Sequence, residues 1–221
     1  KTSWAMPLKI VGKSMSAVSN RILTFGTTEK VMTNSYNYFM GITQHSLIHQ
    51  IVEDSFAKFH ALQKSCETAG LEFDDMFGSK NQSELLSKIF EKVAADVYCS
   101  HGEEAVNPTS DNDPDLYFVD AGYPLEIKVT CGDTWTGGTF SKRPADYLLI
   151  SWDKNTKDNC FVALAHLEKS DWLPGGKNYY GTRYPKKALY EAIEQKKAHS
   201  FFGSVEKTNR GHKINKVRVS E

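Results

Sequence analysis

The chain has 221 residues, of which 40% are hydrophobic, 12% aromatic and 24% charged, and these values exclude a disordered or fibrous protein. Its 27 basic residues balance its 27 acidic residues, and its longest apolar runs are too short to span a bilayer. We therefore expect one cytoplasmic domain over residues 1–221, with no membrane partner, because this length suits a single hydrophobic core.

Hydrophobic periodicity predicts two long helices in the first half of the chain. One covers Gln44–Ala69, where apolar residues recur at the spacing that builds a single stripe along a helix. The second runs from about Asn81 to Val97. The first 40 residues show no pattern that we can assign. We expect a helical N-terminal part, about residues 1–97, followed by a catalytic sheet core, about residues 98–221.

After Cys99 the hydrophobic period becomes that of extended chain. Gly122 separates the first two strands closely enough to predict a hairpin, and Pro185 marks the start of a third helix. The six predicted strands are Leu116–Val119, Leu125–Thr130, Tyr147–Trp152, Phe161–Ala165, Phe201–Val205 and Ile214–Val219. This order of elements predicts an α/β fold with helices flanking a mixed central sheet.

Acidic and basic residues are concentrated in different parts of the chain, although their total numbers are equal. From His101 to Glu126 there are seven carboxylates and no Lys or Arg, whereas Lys177 to Glu221 holds eleven basic residues and four acidic ones. Such a pattern suits an enzyme that concentrates a metal ion at one place and binds phosphates at another. Two ordinary solvated surfaces would give the same pattern.

The most informative stretch places a Pro-Asp pair ahead of a Glu-x-Lys sequence. Asp115 follows Pro114 at the start of one predicted strand, and Glu126 and Lys128 lie in the next. Residues i and i+2 of a strand project to the same face, so Glu126 and Lys128 project together while Ile127 faces the core. A hairpin would bring Asp115 beside them. Two adjacent carboxylates repel each other, and a hard cation such as Mg²⁺ relieves that repulsion.

This pattern resembles the active-site signature of the PD-(D/E)XK nuclease superfamily, which includes most type II restriction endonucleases. The resemblance covers roughly Phe90–Trp152. It implies that Asp115 and Glu126 bind Mg²⁺ together with the backbone carbonyl of Ile127. It also implies that Lys128 positions or deprotonates the attacking water, or neutralises charge on the phosphate. The core would then be that of a restriction endonuclease.

A fourth catalytic acid and a second Glu-x-Lys sequence need separate consideration. Many members of the superfamily add an acidic residue from the helix before the first core strand, and Glu91 is the best-placed match. Glu84 and Glu53 are the other candidates, and an exposed helical glutamate is the ordinary explanation for all three. Glu194 and Lys196 repeat the Glu-x-Lys spacing inside a predicted helix, where a solvated surface explains them.

Three downstream segments carry side chains suited to DNA. Lys142 and Arg143 follow Thr134–Gly138, a predicted loop like the region after the motif in restriction endonucleases, and they could bind phosphate. The loop Pro174–Tyr184 combines basic, amide and aromatic groups that suit base edges and sugars, namely Lys177, Asn178, Tyr180 and Arg183. The basic segment Lys207–Arg218 is a further phosphate-binding candidate. An ordinary polar loop is the alternative for the two loops.

The resemblance implies a magnesium-dependent, sequence-specific endonuclease of the type II restriction class, acting on double-stranded DNA in a prokaryotic cell. Symmetric duplex sites favour a C2 homodimer. One alternative is a structure-selective nuclease of the same superfamily, such as a junction resolvase or a repair endonuclease. The others are a DNA-binding module that has lost catalysis and an α/β protein with no nucleic-acid role.

Overall fold

The computed structural model describes residues 44–110, 113–137, 144–174 and 181–219. Its helices are α1 (His45–Thr68), α2 (Phe73–Met76), α3 (Ser79–Ser100) and α4 (Lys186–Glu194), with a short 3-10 helix at Lys169–Asp171. Its strands are β1 (Ala105–Val106), β2 (Leu116–Phe118), β3 (Tyr123–Thr130), β4 (Thr134–Gly137), β5 (Ala145–Trp152), β6 (Asn159–Leu167), β7 (Leu173–Pro174), β8 (Thr182–Pro185), β9 (Ala198–Phe202), β10 (Ser204–Thr208), β11 (Gly211–Asn215) and β12 (Val217–Arg218). A single domain over 1–221 stays a prediction, because residues 1–43 lie outside the described ranges.

Seven strands form a mixed central sheet. The order is β1-β2-β3-β5-β6-β12, and β9 also pairs with β6. β3 and β5 run parallel, whereas the other neighbouring strands of this sheet run antiparallel. Two smaller sheets accompany it, one with the order β4-β8-β7 and one formed by β10 and β11. The predicted α/β class with a mixed central sheet and helices is therefore confirmed.

One face of the central sheet packs against α1 and α3. The apolar stripes of the two helices meet strand residues such as Leu125, Ile127, Leu148 and Ile150, and all of them are buried in one cluster. Burial of each such side chain contributes about 1.5–3 kcal/mol. Both long helices were predicted from these stripes and are confirmed with small shifts of their ends. Within the described ranges, none of the helices combines the length and the hydrophobicity that a membrane span requires.

The opposite face is covered by the small β4-β8-β7 sheet and by α4. Here Tyr147 and Leu149 of the central sheet pack in a second cluster with Trp135, Tyr184 and Leu189. Our prediction of loops around Thr134–Gly138 and Pro174–Tyr184 is wrong in part, because strands β4 and β8 lie in these segments and pair with each other. The physical reason is burial: the aromatic rings of β4 and β8 have almost no solvent exposure and fill this core.

Two predicted C-terminal strands are each divided in the structure. Gly203 interrupts the segment Phe201–Val205 with a φ of +71°, and a side chain at this position would clash with the carbonyl oxygen of Asn215. Lys216 interrupts the segment Ile214–Val219, and its ammonium donates to the carbonyl of Trp152 at 2.8 Å. The predicted helix start at Pro185 is confirmed, since α4 begins at the next residue.

Candidate active site

The β2–β3 hairpin brings the predicted acidic residues together. Leu116 pairs with Leu125 in antiparallel register, and the turn includes Gly122 with a φ of +63°. Asp115 comes directly before Leu116, so it lies beside Glu126, the residue that follows Leu125. The predicted hairpin is thus confirmed, and with it the mechanism by which Asp115 approaches the Glu-x-Lys sequence.

Asp115, Glu126 and Lys128 form one hydrogen-bonded group. The Lys128 ammonium donates to Asp115 Oδ2 at 2.9 Å and also to Glu126 Oε2. The backbone N–H of Ile127 donates to the same Asp115 oxygen at 2.9 Å. Only 2% of the Glu126 side chain is exposed, against 19% for Asp115 and 18% for Lys128. The group therefore has one deeply buried carboxylate and two partly accessible partners.

Burial and charge act against each other in this group. Burial raises the pKa of Glu126 to about 7, and the negative charge of Asp115 adds to the rise, while Lys128 partly opposes it. Burial alone would lower the pKa of Lys128, but the two carboxylates outweigh burial and the net shift is upward. The two carboxylates therefore favour the charged form of Lys128, while burial favours the protonated form of Glu126.

The oxygen atoms at this site fit a hard divalent cation. Glu126 Oε1 is buried and, within the described ranges, has no hydrogen-bond partner. The N–H of Ile127 points toward Asp115, and a strand residue presents its N–H and C=O to the same side, so the Ile127 carbonyl faces that side too. The described residues contain no group of three or more His, Cys, Asp or Glu side chains that could hold a metal. Magnesium needs only one or two carboxylates, with water and phosphate completing its shell.

Glu91 lies close to this group, on α3. It is buried and pairs with Lys88 at 2.7 Å. The Asn107 side-chain amide donates to the carbonyl of Glu91 at 3.0 Å and to the carbonyl of Asp115 at 2.9 Å, which ties the helix to the start of β2. Burial raises the pKa of Glu91, Lys88 opposes the rise, and the negative charge of Asp115 adds to it. Glu91 is thus within electrostatic range of the site.

The other two helical candidates lie in a different environment. Glu53 and Glu84 are exposed to solvent, and Glu84 pairs only with Lys80, at 3.5 Å, among the described ion pairs. The ordinary explanation, an exposed helical glutamate, is correct for these two and wrong for Glu91. Glu194 and Lys196, which repeat the Glu-x-Lys spacing, are also exposed.

Most of the predicted DNA contacts lie outside the described ranges, namely Lys142, Arg143, Lys177, Asn178 and Tyr180. Arg183 is described: it is exposed on β8, where it pairs with Thr136 of β4. In the basic C-terminal segment, Arg218 donates to Asp158 at 3.2 Å and Lys216 bonds to main chain, so these two cations have protein partners. Contact of the remaining basic side chains with DNA stays a prediction.

Sequence reasoning missed Tyr147 and Asn107. Tyr147 is completely buried and pairs with Glu126 in the parallel register of β3 and β5, and its hydroxyl has no hydrogen-bond partner among the described residues. Its strand was predicted, but its place opposite Glu126 depends on a parallel pairing that no local pattern reports. Asn107 lies in an irregular segment, and nothing in the sequence marked it.

A scan against models of known protein families and a search of curated proteins gave no match for this chain. The chemistry of the site follows from its own geometry. Two carboxylates and a main-chain carbonyl can bind a cation and orient water, while the Lys128 ammonium can face a phosphate. Such a set is suited to hydrolysis of a phosphate ester.

Proposed function

We propose that this protein is a magnesium-dependent endonuclease with a restriction-endonuclease-like core, which hydrolyses phosphodiester bonds of double-stranded DNA. The observation that carries the proposal is the Lys128 ammonium, which bonds to Asp115 and Glu126, while a second Glu126 oxygen is buried without a partner among the described residues. A purely structural ion pair of this kind gains little, because desolvation offsets most of its attraction. A catalytic role gives a reason for the arrangement.

Each residue has a definite part in the proposed reaction. Asp115, Glu126 and the Ile127 carbonyl would hold the magnesium ion, which would make a coordinated water more acidic and so a better nucleophile. Lys128 would release its carboxylate partners and turn toward the phosphate, where its charge offsets the negative charge that develops on the oxygens. Glu91, buried nearby, would strengthen the negative potential that attracts the cation.

Substrate selection is proposed on the resemblance and on charge. The segment after Lys177 is strongly basic. Binding of such a segment to DNA releases counterions from the phosphates, which favours association. We further propose cleavage at specific sequences by a C2 homodimer, since a two-fold enzyme matches a palindromic duplex site.

The test is digestion of a mapped plasmid by the purified protein in magnesium buffer, with chelated samples alongside. We expect discrete fragments, none after chelation, and a loss of at least about a hundredfold in rate for Glu126→Gln. Glu194→Gln is the matched control, because it makes the same change in the exposed Glu-x-Lys copy. It should cleave like the wild type.

Each other result has a defined meaning. A plasmid left intact by the wild type in magnesium would overturn the nuclease proposal. Cleavage restricted to branched DNA would replace sequence specificity with structure selectivity. Retention of DNA without cleavage would indicate a binding module.

A further inference from the structure

Tyr147 lies against the proposed site from the neighbouring strand. It pairs with Glu126 across the parallel β3–β5 ladder, and paired residues of adjacent strands project to the same face. Tyr147 is 0% exposed, and among the described residues its hydroxyl has no hydrogen-bond partner. Glu126 Oε1 is also buried and has no partner in the part of the chain that the structure describes. One free donor and one free acceptor therefore occur on paired residues of the same sheet face.

Such atoms are uncommon inside proteins. The large majority of buried polar side-chain atoms have a hydrogen-bond partner, and an unpaired one costs about 1–3 kcal/mol. A third buried atom without a partner in the described ranges, Trp172 Nε1, belongs to a ring whose centroid lies 5.2 Å from that of Tyr147. The unpartnered atoms of Glu126 and Tyr147 belong to paired residues of adjacent strands, and both are unfavourable unless a ligand meets them.

The charges of both carboxylates act on the Tyr147 hydroxyl. Burial raises the pKa of Tyr147 well above its ordinary value, and the charges of Glu126 and Asp115 raise it further. The hydroxyl therefore keeps its proton at any pH at which the protein would work.

We infer that Tyr147 is a positioning residue of this site, whose hydroxyl donates a hydrogen bond to the water that attacks phosphorus as the phosphorus–oxygen bond to the departing strand breaks. The inference rests on the proposed nuclease function. A hydrogen bond from this fixed hydroxyl would hold that water in position relative to the phosphate. Lys128 would then offset the charge on the phosphate, and Tyr147 would fix the direction of the attacking water.

The test is Tyr147→Phe, which removes only the hydroxyl. We expect kcat for plasmid cleavage to fall about 10- to 100-fold with KM nearly unchanged, the scale of one hydrogen bond to a charged group. In the absence of metal and DNA, the melting temperature should stay the same or rise, because an unpartnered buried donor is removed. A tyrosine with a purely structural hydroxyl would show the opposite stability change.

Tyr184→Phe is the matched control, since Tyr184 is buried in the same cluster and contacts Trp172 but does not pair with Glu126. It should keep wild-type kcat. The inference is overturned if Tyr147→Phe cleaves at the wild-type rate, or if it melts several degrees lower. An inactive wild type would instead refute the nuclease proposal itself, and the inference with it, so the two failures are distinguishable.

Discussion

The two faces of strands β3 and β5 differ in the hydrogen bonding of their polar side chains. On the helix-covered face, strand polar groups bond to one another: the Tyr123 hydroxyl donates to Asp146, and His166 Nδ1 bonds to Asp146 at 2.9 Å. On the opposite face, Glu126 and Tyr147 each keep a buried polar atom without a partner in the described ranges. Asp146 and Tyr147 are adjacent in β5, yet Asp146 has hydrogen-bond partners and the Tyr147 hydroxyl has none among the described residues.

This difference shows which face of the sheet stabilises the fold and which face lowers its stability. Leu148 adds to the apolar core on one side of β5, while Tyr147, directly before it, faces the acidic group on the other side. Groups that must bind a ligand are left unsatisfied without it, and this costs folding free energy. The helix-covered face is therefore the stabilising face, and the opposite face carries the proposed chemistry.

The largest expected effect on stability is on the helix-covered face. Leu148→Ala should lower the free energy of unfolding by about 2–5 kcal/mol, because Leu148 is fully buried between the sheet and the helices. Urea denaturation measures the change. The variant should keep its cleavage rate per folded molecule below the melting temperature. A loss under about 1 kcal/mol would mean that this face is not the stabilising one.

Glu126→Gln should change the pH dependence of stability. The raised pKa of Glu126 means that the folded chain holds a proton between its ordinary pKa of 4.5 and about 7, whereas the unfolded chain has lost it. Wild-type stability should therefore fall as pH rises through this window, by an amount on the order of 1–3 kcal/mol. The variant has no such proton, so its slope should be flatter.

Urea denaturation at several pH values from 4.5 to 7.5 gives both slopes. Glu194→Gln serves as the exposed control and should keep the wild-type slope. Magnesium should raise the wild-type melting temperature at pH 8, because an ion that binds only the folded chain stabilises it. Equal slopes for wild type and Glu126→Gln would contradict the buried, unsatisfied state of this carboxylate.

The smallest expected effect on stability comes from the hydrogen bond between His166 and Asp146 on the helix-covered face. The hydrogen bond to Asp146 raises the pKa of His166 above its ordinary 6.5, against the opposing effect of burial. The stability that this pair contributes is fully present below pH 6.5 and is lost as pH rises through the raised pKa. Because His166 is half-exposed, removal by His166→Gln should cost only about 0.2–1 kcal/mol at pH 6. A larger loss at pH 9 than at pH 6 would reverse the assigned sign.

Local patterns made part of this architecture predictable. The stripes of α1 and α3, the β2–β3 hairpin and the meeting of Asp115 with Glu126 and Lys128 all follow from periodicity and a turn residue close in sequence. Pairings between distant segments were not predictable. Trp135 and Tyr184 belong to strands that pair across a long separation, and each alone looks like an aromatic residue in a polar loop.

The same limit applies to the supporting residues of the site. Glu84 and Glu91 both lie on α3 with a nearby lysine partner, and only packing against the sheet distinguishes the buried one from the exposed one. Tyr147 becomes a neighbour of Glu126 through the parallel register of β3 and β5. Helix packing and the pairing of distant strands therefore decide which polar side chains surround the three predicted residues.

The most direct test of the central claim compares Lys128→Ala with Lys196→Ala in magnesium-dependent cleavage of a supercoiled plasmid. Lys128 bonds to both carboxylates, whereas Lys196 ends the exposed Glu-x-Lys copy. We predict that Lys128→Ala is at least about a hundredfold slower than the wild type and that Lys196→Ala is unchanged. Equal rates for the two variants, or no cleavage by the wild type, would contradict a hydrolytic site built from Asp115, Glu126 and Lys128.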